Sequence, residues 1–246
     1  AEKAIEDCIK NIYILKDFTH LITVSCTGLA APGLDILLLA KLDFNKNIHR
    51  SSINFMGCYA AIHALKQAND ICNANKDAKV LIVDVELCTI HFQQKYSMEN
   101  IASSLLFADG AAAVVVSNEI GLYQIEHFFT EVALQGLNDM AWQVSSHGFL
   151  MSLSTYVPEI ISENIKPLLE NSLKKMSIKF SDIHHWAIHT GGKKIISEIQ
   201  KTFLLKEEDI EVSKQILNDF GNMSSVTILY VLQKMLSKIK NKNENI

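Results

Sequence analysis

The chain has 246 residues, 48% of them hydrophobic and 20% charged, with a net charge of −4 at neutral pH. That length buries a sizeable core, as one large domain or two packed halves, and the balance is ordinary for a soluble globular protein. It gives no basic patch for nucleic acid, and no apolar run reaches the roughly 18 residues of a membrane span. The nearest, "HLITVSCTGLAAPGLDILLLAK" (20–41), is broken by Pro32 and two glycines.

In chain order, "AEKAIEDCIKNIY" reads as the middle of an amphipathic helix, with no charged-then-apolar leader before it. "HLITVSC" (20–26) reads as a strand, and "PGLDILLLAKL" (32–42) as a helix with Pro32 in its first turn. A strand "RSSINFM" (50–56) leads into a helix running from Cys58 to about Asn75. "AKVLIVDVEL" (78–87) is a buried strand, with Glu86 structural at its end, and "GAAAVVVSN" (110–118) is another strand. Tyr96 and Met98 fall in a polar loop. "VPEIISENIKPLLENSLKKM" (157–176) is helical, "HHWAIH" (184–189) a strand and "GKKIISEIQKTF" (192–203) a helix. Ser224 and Ser225 would cap a last helix over 224–240, followed by the polar tail "NKNENI". This is an α/β pattern whose strand–loop–helix units recur.

Five cysteines (Cys8, Cys26, Cys58, Cys72, Cys88) are odd in number and form no CxxC pair. That argues against a zinc site and a disulfide framework, and for reduced thiols in the cytoplasm.

Three stretches carry chemistry. Cys58 stands where a helix begins, and unpaired N–H groups there favour a thiolate. Its own N–H would face a carbonyl under attack. His189 ends "WAIHTGGKK", a strand running into Gly191 and Gly192, which let a ligand approach closely. Asn222, in "DFGNMSSVT", offers two donors that never titrate. Taken singly, each has an ordinary structural explanation: a small buried residue, a core histidine, a helix cap. Together they propose a Cys–His–Asn set, which serves hydrolysis and acyl transfer alike.

The stretches "GCYAAIHALKQA", "HTGGKKIISEIQ" and "GNMSSVTILYVL", in that order, resemble the type III polyketide synthases, the chalcone/stilbene synthase-like family. "LLFADGAAAVVV" (105–116) is similar to the family's Phe-Gly-Asp-Gly-Ala-Ala-Ala stretch, with Ala108 for the glycine. "CTGLAAPGLD" and "VELCTIHFQ" resemble microbial members. The likeness runs from about residue 15 to 240.

The resemblance implies a thiolase-like layered αβαβα fold, assembled as a homodimer. Residues 1–125 would form a first half carrying the nucleophile and residues 126–246 a second carrying the histidine and asparagine. The family's stretches before and after this sequence are missing, which predicts a fragment or a domain of a larger synthase. Cys58 falls on the nucleophile, His189 on the histidine and Asn222 on the asparagine. Phe107 falls on a gatekeeper phenylalanine, Met151 on a second gatekeeper that is phenylalanine in plant members, and Trp142 on a cavity glycine of those members. Cys26, His91, Gly191, Gly192 and Ser224 would line the substrate cavity, with Cys88 at its border. Ala31 replaces a methionine that reaches across the plant dimer. Lys193 and Lys194 read as solvated lysines.

The implied substrates are an acyl-coenzyme A starter and malonyl-coenzyme A, with no further cofactor and no metal. Cys58 takes the acyl group, malonyl-coenzyme A loses carbon dioxide, and His189 with Asn222 holds the enolate oxygen, in repeated rounds ending in a pyrone or phenolic ring. The nearest rival is a ketoacyl synthase III condensing once onto an acyl carrier protein. A hydroxymethylglutaryl-type synthase would need a placed Glu, a cysteine hydrolase lacks matching flanks, and a non-catalytic dimerisation module of a fused synthase would keep the triad without using it.

Overall fold

The computed structural model describes residues 1–10, 12–94, 96–137, 139–145, 148–154, 156–239, 241 and 244–246. In chain order its elements are α1 (Glu2–Ile9), β1 (His20–Ser25), α2 (Leu34–Lys41), β2 (His49–Asn54), α3 (Ala60–Ala74), β3 (Lys79–Glu86), α4 (Met98–Leu106) and β4 (Gly110–Ser117). There follow β5 (Met140–Ser145), β6 (Gly148–Leu153), α5 (Val157–Met176), α6 (Lys193–Phe203), α7 (Glu207–Phe220) and α8 (Val226–Met235).

The chain divides into two compact units, each discontinuous. The first takes Ala1–Cys88, Ala108–Glu126 and Met223–Leu229; the second takes Thr89–Phe107, His127–Asn222 and Tyr230–Ile246. The boundary expected at 125/126 falls one residue from the change of unit after Glu126, but each unit also claims a segment from the other half. Met223–Leu229 joins the first because the Ser225 hydroxyl is bonded to carboxylates of β3.

The first unit is built on a sheet of order β2-β1-β3-β4, with β1 parallel to both neighbours and β4 antiparallel to β3. Helices cover both faces, which is why β1 and β3 read as almost unbroken apolar runs. Ile22, Val24, Val80 and Ile82 point to one face and pack on Ala60, Ala64, Ala68 and Cys72 of α3. Small side chains four residues apart give α3 a smooth stripe that seats close to the sheet. Leu21, Leu81 and Val83 point to the other face, onto Ile5 of α1 and Leu38 of α2. Side chains alternate along a strand. Asp84 and Glu86 therefore continue the stripe of Val80 and Ile82, on the α3 side and close to the turn that carries Cys58.

The second unit centres on Ile188, Ile196, Ile199, Leu205 and Ile210, with Trp186, Phe203 and Leu217 against them. A hairpin of β5 and β6 sits in the same unit. Among the described residues, no helix is long and apolar enough to cross a membrane.

Four local expectations are corrected. Residues 184–190 join no ladder; Ile188 N donates to the Ser213 hydroxyl of α7, and His184 and His185 N both donate to Asn245 O. The end of the chain is thus tied back rather than a plain tail; its Lys242 and Asn243 lie outside the described residues. Met98 opens α4 instead of a loop, because the Ser97 hydroxyl accepts from Asn100 N and caps it. The helix expected from Cys58 begins at Ala60. The last helix begins at Val226; Ser225 Oγ goes to the β3 carboxylates instead of capping it, and Ser224 Oγ donates to Cys58. Lys240, at the predicted end of that helix, is outside the described residues.

Candidate active site

In the first unit, β2 delivers the chain to Cys58 through a strained turn. Phe55 has φ +54° and Gly57 φ +87°. Gly57 takes the left-handed region freely, whereas Phe55 does so at a cost of order 1–3 kcal/mol, and its N–H is pinned to Ser25 O at 3.2 Å. The turn leaves Cys58 half-buried, two residues before the first residue of α3. Ser224, itself at φ +53°, donates its hydroxyl to Cys58 Sγ at 3.8 Å.

The helix start does not by itself make a thiolate. Burial pushes the Cys58 thiol up to about 11; the Ser224 hydroxyl pulls it down, while the nearby Glu86 and Asp84 carboxyls raise it further. Cys26, fully buried, donates its thiol to Gly57 O at 2.9 Å, and burial followed by Glu86 raises its pKa strongly. Cys88, half-buried at the start of a short 3-10 turn, is pushed up to about 12, mainly by burial. Glu86 is wholly buried and bound on both oxygens. Oε2 accepts from Cys26 N at 2.9 Å and Thr27 Oγ1 at 2.7 Å, and Oε1 from Ser225 N at 3.3 Å and Ser225 Oγ at 2.5 Å. It ties the ends of β1 and β3 to the 224–225 turn.

In the second unit, His189 lies near the end of the irregular run 184–190. Both its ring nitrogens are shut from solvent and have no hydrogen-bond partner among the described residues. Burial lowers its pKa to about 4, so the imidazole is neutral at ordinary pH. Gly191 follows closely: a Cβ there would stand 2.8 Å from Ile195 Cδ1. One on Gly192 would meet open space, which leaves room in front of α6. Lys193 and Lys194 are exposed on the first turn of that helix.

Asn222 is fully buried. Its N–H donates to Leu106 O at 2.9 Å, and it forms a parallel bridge with Phe107, the residue ending α4. Asn222 and Phe107 are therefore fixed to each other through the main chain. Three more expected cavity residues meet in this unit. Trp142 lies directly opposite Met151 in the β5–β6 hairpin, and the His91 ring is 4.8 Å from Trp142. Phe149 joins them, edge-on to His91 at 5.9 Å and to Trp142 at 6.5 Å. Sequence reasoning missed Phe149, although its place two residues before Met151 on one strand face was a usable signal. Among the described residues there is no His/Cys/Asp/Glu group fit to hold a metal.

The family model for chalcone and stilbene synthases, N-terminal domain, matches residues 1–119, and that for the C-terminal domain matches residues 124–246. Type III polyketide synthase A of Arabidopsis thaliana is 31% identical over 240 residues, 94% of this chain and 60% of its own length. The alpha-pyrone synthesis polyketide synthase-like protein Pks18 of Mycobacterium tuberculosis is 31% identical over 225 residues, 89% of this chain and 57% of its own. The crystal structure of the C-terminal type III polyketide synthase domain of Steely1, a type I/III hybrid from Dictyostelium, superposes with a TM-score of 0.83 at 26% identity, covering 94% of this chain and 66% of that one. The chain thus spans about three fifths of the length of the curated relatives it matches. With both family models matched along almost all of its length, the chain belongs to the chalcone and stilbene synthase family and has the thiolase-like fold of the type III polyketide synthases.

Proposed function

We propose that the chain carries out type III polyketide synthesis, with coenzyme A thioesters as substrates and no further cofactor or metal. The observation that carries this is His189: a neutral imidazole with both nitrogens buried and without a partner among the described residues. Leaving such a group unpaired costs on the order of 1–3 kcal/mol, which suits one kept for an incoming thioester. Asn222, buried and anchored by its main chain, is the second donor.

Cys58 gives its proton to His189 and attacks the acyl-coenzyme A carbonyl; the coenzyme A thiolate leaves with a proton, and the acyl group stays on sulfur. The thioester oxygen of malonyl-coenzyme A then accepts from His189 and Asn222. Its carboxylate departs as carbon dioxide, and the bonding pair becomes the enolate that the two donors hold. The enolate carbon attacks the acyl-Cys58 carbonyl and frees the thiolate, and the chain is two carbons longer. Decarboxylation supplies the carbanion, so no base has to remove a carbon-bound proton.

Phe107, Met151, Trp142 and His91 line the growing chain's space in this reading, with Cys26 and Ser224 beside the nucleophile and Gly191–Gly192 at the coenzyme A arm. The aromatic group around Trp142 favours a product such as a pyrone over the one the plant cavity glycine allows. The relative named for alpha-pyrone synthesis supports that preference. A homodimer in a reducing cytoplasm is the assembly we propose, in line with free cysteines throughout the described residues.

The test is intact-protein mass spectrometry of the full protein with a panel of acyl-coenzyme A starters, with and without malonyl-coenzyme A, beside Cys58→Ala. A starter-sized adduct absent from the variant, with malonyl-dependent products, is expected. Loading only from an acyl carrier protein, or from nothing, would overturn the proposal.

A further inference from the structure

Beneath Cys58, in the first unit, two acids stand on one face of β3. Asp84 and Glu86 are both fully buried, and the Ser225 hydroxyl lies between them, 2.9 Å from Asp84 Oδ1 and 2.5 Å from Glu86 Oε1. A serine hydroxyl has one hydrogen, so it serves one of these oxygens and not both. If both acids were ionised, the other contact would set lone pair against lone pair in a site shut from solvent. The remaining donors decide which acid carries the charge. Glu86 accepts from Cys26 N, Thr27 Oγ1 and Ser225 N in addition to the hydroxyl. Thr27 can give its hydrogen to Glu86 because Leu87 N donates to the Thr27 oxygen. Among the described residues Asp84 has Ser225 alone, and its Oδ2 is shut from solvent with no partner. A carboxylate left so would keep nearly the whole cost of desolvation.

We propose that Asp84 is a protonated positioning residue: at neutral pH its Oδ1–H donates to Ser225 Oγ, which donates to an ionised Glu86, and this one-charge chain sets the Ser224–Cys58 contact next to it. The proton count is independent of the reaction; its bearing on the nucleophile rests on Cys58 acting as proposed above. The electrostatics agree. Burial first and Glu86 second hold the Asp84 carboxyl well above the usual carboxylate range, against the lowering effect of Ser225. The titratable groups facing the pair are the thiols Cys26 after β1, Cys58 before α3 and Cys88 after β3, and no cation figures among the groups that shift Asp84. A second negative charge here would oppose the thiolate of Cys58. A neutral Asp84 keeps the serine pair tied down without that charge.

The experiment compares this chain with its Asp84→Asn variant, whose amide N–H can replace the carboxyl O–H on Ser225. Infrared difference spectra at pH 7 are expected to show a buried protonated-carboxyl C=O band in the native chain that is missing from the variant. A carboxyl whose pKa is raised on folding stabilises the fold below its unfolded pKa and loses that contribution as pH climbs to the folded value. The folding equilibrium constant of Asp84→Asn relative to native is therefore expected to grow by up to tenfold per pH unit from about pH 4 upward. Iodoacetamide should alkylate Cys58 faster in the variant at alkaline pH, where native Asp84 ionises.

Absence of the band at pH 7, or a variant whose relative stability does not change with pH, would overturn the assignment. If the variant does not fold, titration of the native band alone decides: it must persist at pH 7 and vanish only at higher pH. These readouts need no substrate, so failed acyl loading with the band present would sink the synthase reading and leave the proton in place.

Discussion

His189 links the candidate chemistry to stability in a measurable way. Its pKa falls from 6.5 to about 4 because burial disfavours the imidazolium. Between those values the unfolded chain binds a proton that the folded chain refuses. Stability from this group is complete above about pH 6.5 and is lost as pH falls toward 4. The gap is about 2.5 pH units; at about 1.36 kcal/mol per unit the loss is about 3 kcal/mol. In His189→Gln the group no longer titrates. Urea unfolding at half-unit steps from pH 7.5 to 4 should show native stability falling about 3 kcal/mol further than the variant's. Every other titrating group is common to both chains and drops out of the difference. A constant difference across that range would refute the reasoning and would mean that the ring exchanges protons with solvent as a free histidine does.

Ser224→Ala removes the hydroxyl that lowers the Cys58 pKa. A hydrogen bond to a charged group contributes about 1.5 kcal/mol, so the thiolate fraction, read as iodoacetamide alkylation rate below pH 10, should fall about tenfold. Gly110→Ala would set a Cβ 2.7 Å from Met223 Sδ and 3.0 Å from Met223 Cβ. Overpacking of about 1–3 kcal/mol should lower the urea midpoint, with part of the loss recovered when Met223→Ala is added. Leu204 ends α6 at φ +54° and is 88% exposed, so Leu204→Gly should relieve strain without losing packing and raise stability by about 0.5–1 kcal/mol in thermal unfolding.

Strand and helix spans were legible wherever the hydrophobic period was long. The 157–176 helix matches its predicted bounds, and β1, β3 and β4 lie within a residue or two of theirs. What failed shares a physical cause. A short apolar stretch such as that in "HHWAIH" cannot report whether the backbone has a ladder partner, and here the N–H groups of His184, His185 and Ile188 go to Asn245 and a serine. Local cap rules assigned Ser225 to the helix it precedes, while the structure spends its hydroxyl on carboxylates more than a hundred positions away. The family's motifs pointed to Cys58, His189 and Asn222. They said nothing of Asp84, whose only trace in the sequence is a second acid, two residues before Glu86, in the apolar strand "VLIVDVEL". Phe149 left a signal, its place two residues before Met151, but its meeting with Trp142 depends on a hairpin register that pairs Trp142 with Met151.

The bridge between Phe107 and Asn222 runs through main-chain atoms alone. Any side chain at 107 leaves the anchor of Asn222 untouched, because Leu106 supplies the accepting carbonyl whatever its neighbour is. The side chain at 107 can therefore drift while Asn222 stays put. If residue 107 is the gate and Asn222 the donor that the proposed function makes them, a lineage or an engineer can exchange the first without moving the second. The converse does not hold: a change that shortens or shifts α4 moves Leu106 O and Asn222 with it, so insertions in residues 98–106 should be far less forgiving than substitutions at 107.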